Sequence, residues 1–198
     1  ETSSITKTQV VATLANGYTL SAAQQSALVN AFTIDAAMHS TTDGTGSIGW
    51  HYNINDSALD FLGQNDQVVL TFTVRVADGN GGFTTQDVTI TIGGSNEAPV
   101  ITSGPQAGSV PEIADGAAGE NTAPHSLSGA VTFTDVNLSD IETSSITNKQ
   151  VVATLANGYT LSTAQQNALV NAFTIDAATH STTDGTGSIG WHYNINDG

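Results

Sequence analysis

The chain has no cysteine, and Lys7, Arg75 and Lys149 are its only fixed positive charges, set against 18 Asp and Glu. The first absence excludes disulfide staples and thiolate metal sites. The second excludes a nucleic-acid partner, because no cationic face exists to release counterions from phosphates, and an anionic membrane surface repels a chain of formal charge -15. No apolar run approaches the ~20 residues of a spanning helix, which argues against membrane insertion. Charged residues are only 11% of the 198, well below the ~25% of ordinary domains. What fills the surface is hydroxyl: Thr alone occurs 29 times, a β-favouring residue. This balance fits an extracellular β protein better than a cytosolic enzyme.

The chain repeats itself. Residues 1–57 recur as 142–198, differing only at Lys7/Asn148, Thr8/Lys149, Ala22/Thr163, Ser26/Asn167, Met38/Thr179 and Ser57/Gly198. The offset is 141, and residues 58–141 occur once. Self-similarity this close is the signature of a tandem array. Gly93-Gly94-Ser95-Asn96-Glu97-Ala98-Pro99 is the best linker, since its glycines are flexible and Pro99 holds Ala98 extended. A boundary there makes residues 1–95 the C-terminal part of one repeat domain and 96–198 the N-terminal part of the next, so the chain reads as a window onto a longer array.

Local pattern gives the elements. Asn16-Gly17 suits a type I′ hairpin joining residues 10–15 to 18–20, and Asn157-Gly158 repeats it. Ser21 with Gln24 forms a capping box opening a short amphipathic helix over 21–32, copied at 162–173. Ile48, Trp50, Tyr52 and Ile54 alternate with polar or small residues, predicting a strand with Trp50 and Tyr52 facing the core. Residues 57–60 start one helical turn. Val68, Leu70, Phe72, Val74 and Val76 form the inward face of the clearest strand. After a turn at 78–82, Val88, Ile90 and Ile92 mark the strand that returns. Further strands are expected at 100–102, 108–113 and 129–134. Together these predict an all-β fold, a β-sandwich carrying one short inserted helix per repeat.

Three stretches carry a family resemblance: TFTVRVADGNGGFTTQDVTITIGGSNEAPVI (Thr71 to Ile101), GAVTFTDVNLSD (Gly129 to Asp140) and GTGSIGWHYNINDSALDFL (Gly44 to Leu62). They resemble VCBS-type repeats in order and spacing. The resemblance implies an Ig-like or cadherin-like sandwich in a large secreted bacterial protein of the RTX-adhesin kind, on the cell surface or in the matrix. There it would act as a non-enzymatic extender or adhesion module that binds Ca2+. Its implied partners are neighbouring repeats of the same polypeptide.

Calcium also follows from the residues, because it takes six to eight oxygens from carboxylates, amides and carbonyls. Asn96 and Glu97 stand at the junction, with Glu97 where the family has Asp. Glu112 follows Pro111, Asp135, Asn137 and Asp140 share one loop, and Asp78 and Asn80 lie in the DGNGG turn. These eight are the candidate metal ligands.

Other constellations point to plainer roles. Gly44-Thr-Gly46-Ser-Ile-Gly49 matches a dinucleotide fingerprint but leads into a strand instead of a helix. His39, His51, His180 and His192 are too dispersed for a transition-metal site and read as surface or loop residues. No serine stands in a nucleophile elbow, so no catalytic set is assigned. Two alternatives to the extender remain. One is a carbohydrate-binding module taking surface glycans, with loops at one end forming the site, since alternation turns the aromatics Trp50 and Tyr52 toward the core. The other is a filament subunit that pairs with other copies by strand exchange.

Overall fold

The computed structural model describes residues 1–196. The chain is β-rich and divides into two compact units. Glu1–Glu97 with Val136–Asp140 form the first; Ala98–Asp135 and the residues from Ile141 onward form the second. The division falls after Glu97, two residues beyond the boundary expected at 95/96. No linker signal announces the return of Val136–Asp140 to the first unit.

The first unit contains β1 (Thr2–Thr13), α1 (Ala22–Asn30), β2 (Phe32–Ile34), β3 (Met38–His39), β4 (Gly46–Ser47), β5 (Trp50–Tyr52), β6 (Gln67–Ala77) and β7 (Phe83–Gly93). Its main sheet is antiparallel in the order β1-β6-β7. The period-2 pattern of β6 holds through Val74: Val68, Leu70, Phe72 and Val74 are buried, whereas Val76, expected on the same face, is only half-buried. Against them pack Leu28 of α1 and Phe32, with Phe61, Leu62 and Ile92 completing the core. The Phe32 and Phe72 rings stack at 3.9 Å with a 9° interplanar angle. The capping box is present: Gln24 N donates to Ser21 Oγ at 3.2 Å and Ser21 N donates to Gln24 Oε1 at 2.8 Å. β2 pairs with β5 and β3 with β4.

The expected Asn16-Gly17 hairpin does not form. Both residues take the positive φ that a type I′ turn needs, 52° and 75°. They sit instead in a 3-10 turn, Ala15–Gly17, after which residues 18–20 run without strand pairing into the Ser21 cap. The physical reason is competition. β1 finds a far longer partner in β6, laddering from Thr2 opposite Ala77 to Thr13 opposite Gln67, with one bulge between Ile5 and Lys7. Asn157-Gly158 behaves like its copy.

The second unit contains β8 (Val100–Ile101), β9 (Pro124–Thr134), α2 (Thr163–Asn171), β10 (Phe173–Ile175), β11 (Thr179–His180) and β12 (Thr186–Asn196). Its sheet runs β10-β12-β9-β8, with β11 also on β12. The strand expected at 108–113 is absent, consistent with Pro105 and Pro111 lacking donors for a ladder.

Near-identical sequences therefore reach different ends. Trp191 is 9% exposed whereas Trp50 is 49% exposed. The core position expected of Trp50 is met only by its copy. Trp191 stands opposite Gly129 of β9, where an added Cβ would lie 2.6 Å from the indole. In the first unit β5 pairs only with β2. Likewise residues 143–154, which copy β1, form no strand, because the second unit has no strand with the sequence of β6.

Candidate functional site around Asn137

The loop after β9 supplies the most densely bonded polar cluster of the first unit. Asn137 is 0% exposed. Its Oδ1 accepts from the Glu97 backbone N–H at 2.7 Å. Around its Nδ2 stand four oxygens: Glu97 Oε2 at 2.7 Å, the Asp60 carbonyl at 3.0 Å, the Ser95 carbonyl at 3.2 Å and the Leu62 carbonyl at 3.3 Å. An amide nitrogen carries two hydrogens, so more acceptors converge here than it can serve fully.

Two residues further on, Ser139 is also buried, and its Oγ donates to Asp66 Oδ2 at 2.6 Å. Asp66 is 2% exposed; it also accepts from Gly63 N at 3.0 Å and from Ala15 N at 2.7 Å. Asn16 Nδ2 donates to the Ser139 carbonyl at 2.6 Å. The positive φ of Asn16, read as hairpin chemistry, thus aims its amide at this loop. Gly63 lies close under this loop, and a Cβ there would come within 2.6 Å of Asp140 Oδ1 and displace it. The cluster ties the loop before β6, the end of β7 and the turn after β1 to one five-residue segment.

The other proposed ligands fall elsewhere. Asn96 is exposed beside Glu97, bonding its carbonyl at 3.1 Å. Asp140 N donates to the Asn137 carbonyl at 3.1 Å within the same turn. Asp78 and Asn80 make their own Asx turn, with Asp78 Oδ1 accepting from Asn80 N at 2.8 Å and Gly82 N at 2.9 Å. Asp135, buried, and Glu112, exposed, belong to the second unit. Among the described residues no group of three or more His, Cys, Asp or Glu gathers to hold a metal. Calcium at Asn137 would rest on one carboxylate, Glu97, and on neutral oxygens. Nothing in the sequence marks Asp66 and Ser139, because an Asp at the end of Gly63-Gln-Asn-Asp66 has the composition of any solvated turn.

His39, His51, His180 and His192 each pair with a carboxylate. His51 Nε2 lies 3.2 Å from Asp35 Oδ2, and His192 Nε2 lies 3.0 Å from Asp176 Oδ2. Gly49 and Gly190 let the carboxylates lie against the backbone, since a Cβ at either would displace the Asp35 or Asp176 side chain. His180 departs from the expected surface role: it is paired with Glu142 at 3.2 Å and both side chains are nearly inaccessible.

Asp43 closes the loop between β3 and β4. The Ser40 hydroxyl, then the backbone N–H and hydroxyl of Thr45, hold its pKa down from 3.8 to about 2. Asp184 is lowered by the same contacts from Ser181 and Thr186. A carboxylate depressed on folding stabilises the fold above pH 3.8, and that contribution fades as pH falls through about 2. The Asp43 carboxyl carbon is therefore expected to titrate near pH 2 by NMR, and Thr45→Ala to move the midpoint upward. A midpoint at the ordinary value would remove these bonds from solution.

The chain matches no family model, no curated protein and no solved structure.

Proposed function

We propose that the chain is a non-enzymatic segment of an extracellular tandem-repeat protein, a spacer or adhesion module of a bacterial surface or matrix protein. Its repeating unit is read as an Ig-like or cadherin-like β-sandwich. The observation that carries this reading is how the repeat is used. One copy of the 57 residues supplies a strand to β1-β6-β7, and the other supplies β12 to the sheet with β9. One period thus holds the parts of two sheets, and successive periods restore both, as an array requires. The Asn137 cluster supports the same reading. Its side chains are occupied in fastening loops, an arrangement suited to bearing load along a chain.

Calcium belongs to the proposal at that cluster. Glu97 and the carbonyls of Asp60, Leu62 and Ser95 would hold it, with the Asn137 amide turned so that its oxygen takes the place of Nδ2, supplying hard oxygen donors. Thermal unfolding in calcium, in magnesium and in excess chelator at constant ionic strength tests this. A calcium-specific rise of several degrees is expected, because an ion that binds only the folded form stabilises it by mass action. Equal melting in all three removes calcium and leaves a metal-free spacer. Specific binding on a glycan array would replace the spacer with the carbohydrate-binding alternative.

A further inference from the structure

The chain holds three fixed positive charges, and the two in the first unit, Lys7 and Arg75, share one surface, the outer face of β1-β6-β7. Alternation puts Arg75 there. Phe72 and Val74 of β6 are buried in the core, so Thr73 and Arg75 project from the opposite face. Register sets Lys7 opposite Thr73 and Thr85 of β7 opposite Arg75, and partners across a ladder share a face. The two cations therefore occupy adjoining rows. Because the core packs on the other side of these strands, a neighbouring repeat that extended the core would leave this face open.

Neither cation is neutralised. Among the described residues Lys7 and Arg75 form no ion pair, although the chain carries 18 Asp and Glu. Asp87, the acid on the same face, accepts instead from the Thr73 hydroxyl at 2.7 Å. Arg75 rests on an aromatic ring: its guanidinium carbon stands 4.3 Å from the ring centroid of Phe83, which is 64% exposed at the start of β7. Stacking fixes the guanidinium plane and leaves its edge for an acceptor. Nε is covered and has no hydrogen-bond partner, so that edge is the pair of Nη groups.

We infer that this face binds the terminal sugar of a glycan, a sugar that carries a carboxylate. Two N–H groups of Arg75 match the two carboxylate oxygens. The open part of the Phe83 ring takes the apolar C–H face of the sugar, and Lys7 and the Thr85 hydroxyl supply hydrogen bonds to the oxygens around it. One carboxylate is the charge that fits. Exposed charges are screened beyond ~8 Å at physiological salt, so a single carboxylate at Arg75 feels chiefly Arg75 and Lys7. A polyanion would also run over the surface of a chain of formal charge -15 and be repelled. The inference rests on the adhesion side of the proposed function: it names the class of target, and binding here decides for adhesion over a bare spacer. It does not involve calcium.

Two-dimensional NMR of the full chain, titrated with sialyllactose, with a disaccharide ending in glucuronic acid and with lactose, tests it. Amide signals of β6 and β7 and the side-chain signal of Arg75 are expected to move with an acidic sugar and to stay in place with lactose. Comparing the two acidic sugars tells a sialic from a uronic terminus. Arg75→Gln is expected to weaken binding roughly tenfold to a hundredfold, the loss of a charge-assisted pair. Arg75→Lys is expected to lose nearly as much, because an ammonium lacks the planar fork. Lys7→Asn installs the residue that the second copy carries at this position, Asn148, so it preserves the fold and is expected to weaken binding severalfold. No movement with either acidic sugar, movement confined to loops, equal response to lactose, or Arg75→Gln and Lys7→Asn chains that bind as the unmodified one overturns the inference. So does tighter binding of dextran sulfate than of both acidic sugars, which would make the face a general anion patch. Failure to bind removes this site and leaves the spacer reading standing. Release of the free terminal sugar would support the site and overturn the non-enzymatic reading.

Discussion

Phe72→Ala is expected to destabilise the first unit by about 3–5 kcal/mol, the range for truncating a buried aromatic ring. Phe72 is 1% exposed, and its ring is the middle contact of β6 with the helix side of the core. Removing it takes away the face of Phe32, which otherwise stacks between Phe72 at 3.9 Å and Trp50 at 6.0 Å. The surrounding Leu70, Val74 and Leu28 are fixed by a sheet and by a capped helix, so the space cannot collapse fully. Against a typical total of about 5–15 kcal/mol, this is a large fraction of one unit's stability. Hydrogen exchange along the β1-β6-β7 ladder is the measurement, because it reads the affected sheet directly. Phe72→Leu, which keeps a branched apolar side chain, is expected to lose less than half as much, roughly 1–1.5 kcal/mol. Equal protection in Phe72→Ala and the unmodified chain would show that the core is not organised around this ring.

That ring was legible in the sequence for a specific reason. β6 is covered on one face along its length, so burial imprints a strict alternation from Val68 to Val74 that no other element imitates. The α1 cap was legible too, because Ser21 and Gln24 satisfy each other within one turn and need no distant partner. Where local and distant partners compete, the sequence misleads. Asn16-Gly17 has the backbone of a hairpin turn, yet β1 pairs with a strand more than fifty residues away. Trp50 and Trp191 make the limit plain. Their neighbours in sequence are identical, and only the strand lying opposite, with Gly129 beneath the indole, separates a buried side chain from a half-exposed one. No reading of nearby residues can recover that difference. The same holds at the candidate site. Asn137 stood out by type and loop position as an oxygen donor, while its complete burial and the Asp66–Ser139 bond beside it depend on where Val136–Asp140 returns.

Asn137→Leu is expected to cost the first unit about 2–3 kcal/mol, through a different mechanism from Phe72. Leucine has nearly the same volume, so little cavity opens. What is lost is the partner of four backbone groups: the buried Leu62 carbonyl, and the Glu97 N–H and the carbonyls of Asp60 and Ser95, which are partly buried. Each group left unsatisfied costs about 1–3 kcal/mol, with part of the sum recovered by relaxation toward water. Asn137→Asp separates the structural role from a cation-binding one. It keeps the shape and the oxygen facing Glu97 N but replaces the donating nitrogen with a charged oxygen 2.7 Å from Glu97 Oε2. In chelator the two carboxylates repel, and this variant is expected to melt well below the unmodified chain. If the oxygens around this atom hold calcium, the second carboxylate strengthens the site, and added calcium is expected to raise the variant's melting temperature by more than it raises that of the unmodified chain. Scanning calorimetry of the three chains, with and without the ion, checks both halves. Destabilisation of both variants with no response to calcium would make Asn137 a fastening residue only. Undiminished melting of Asn137→Leu would mean that the loop from Val136 to Asp140 does not hold the first unit together.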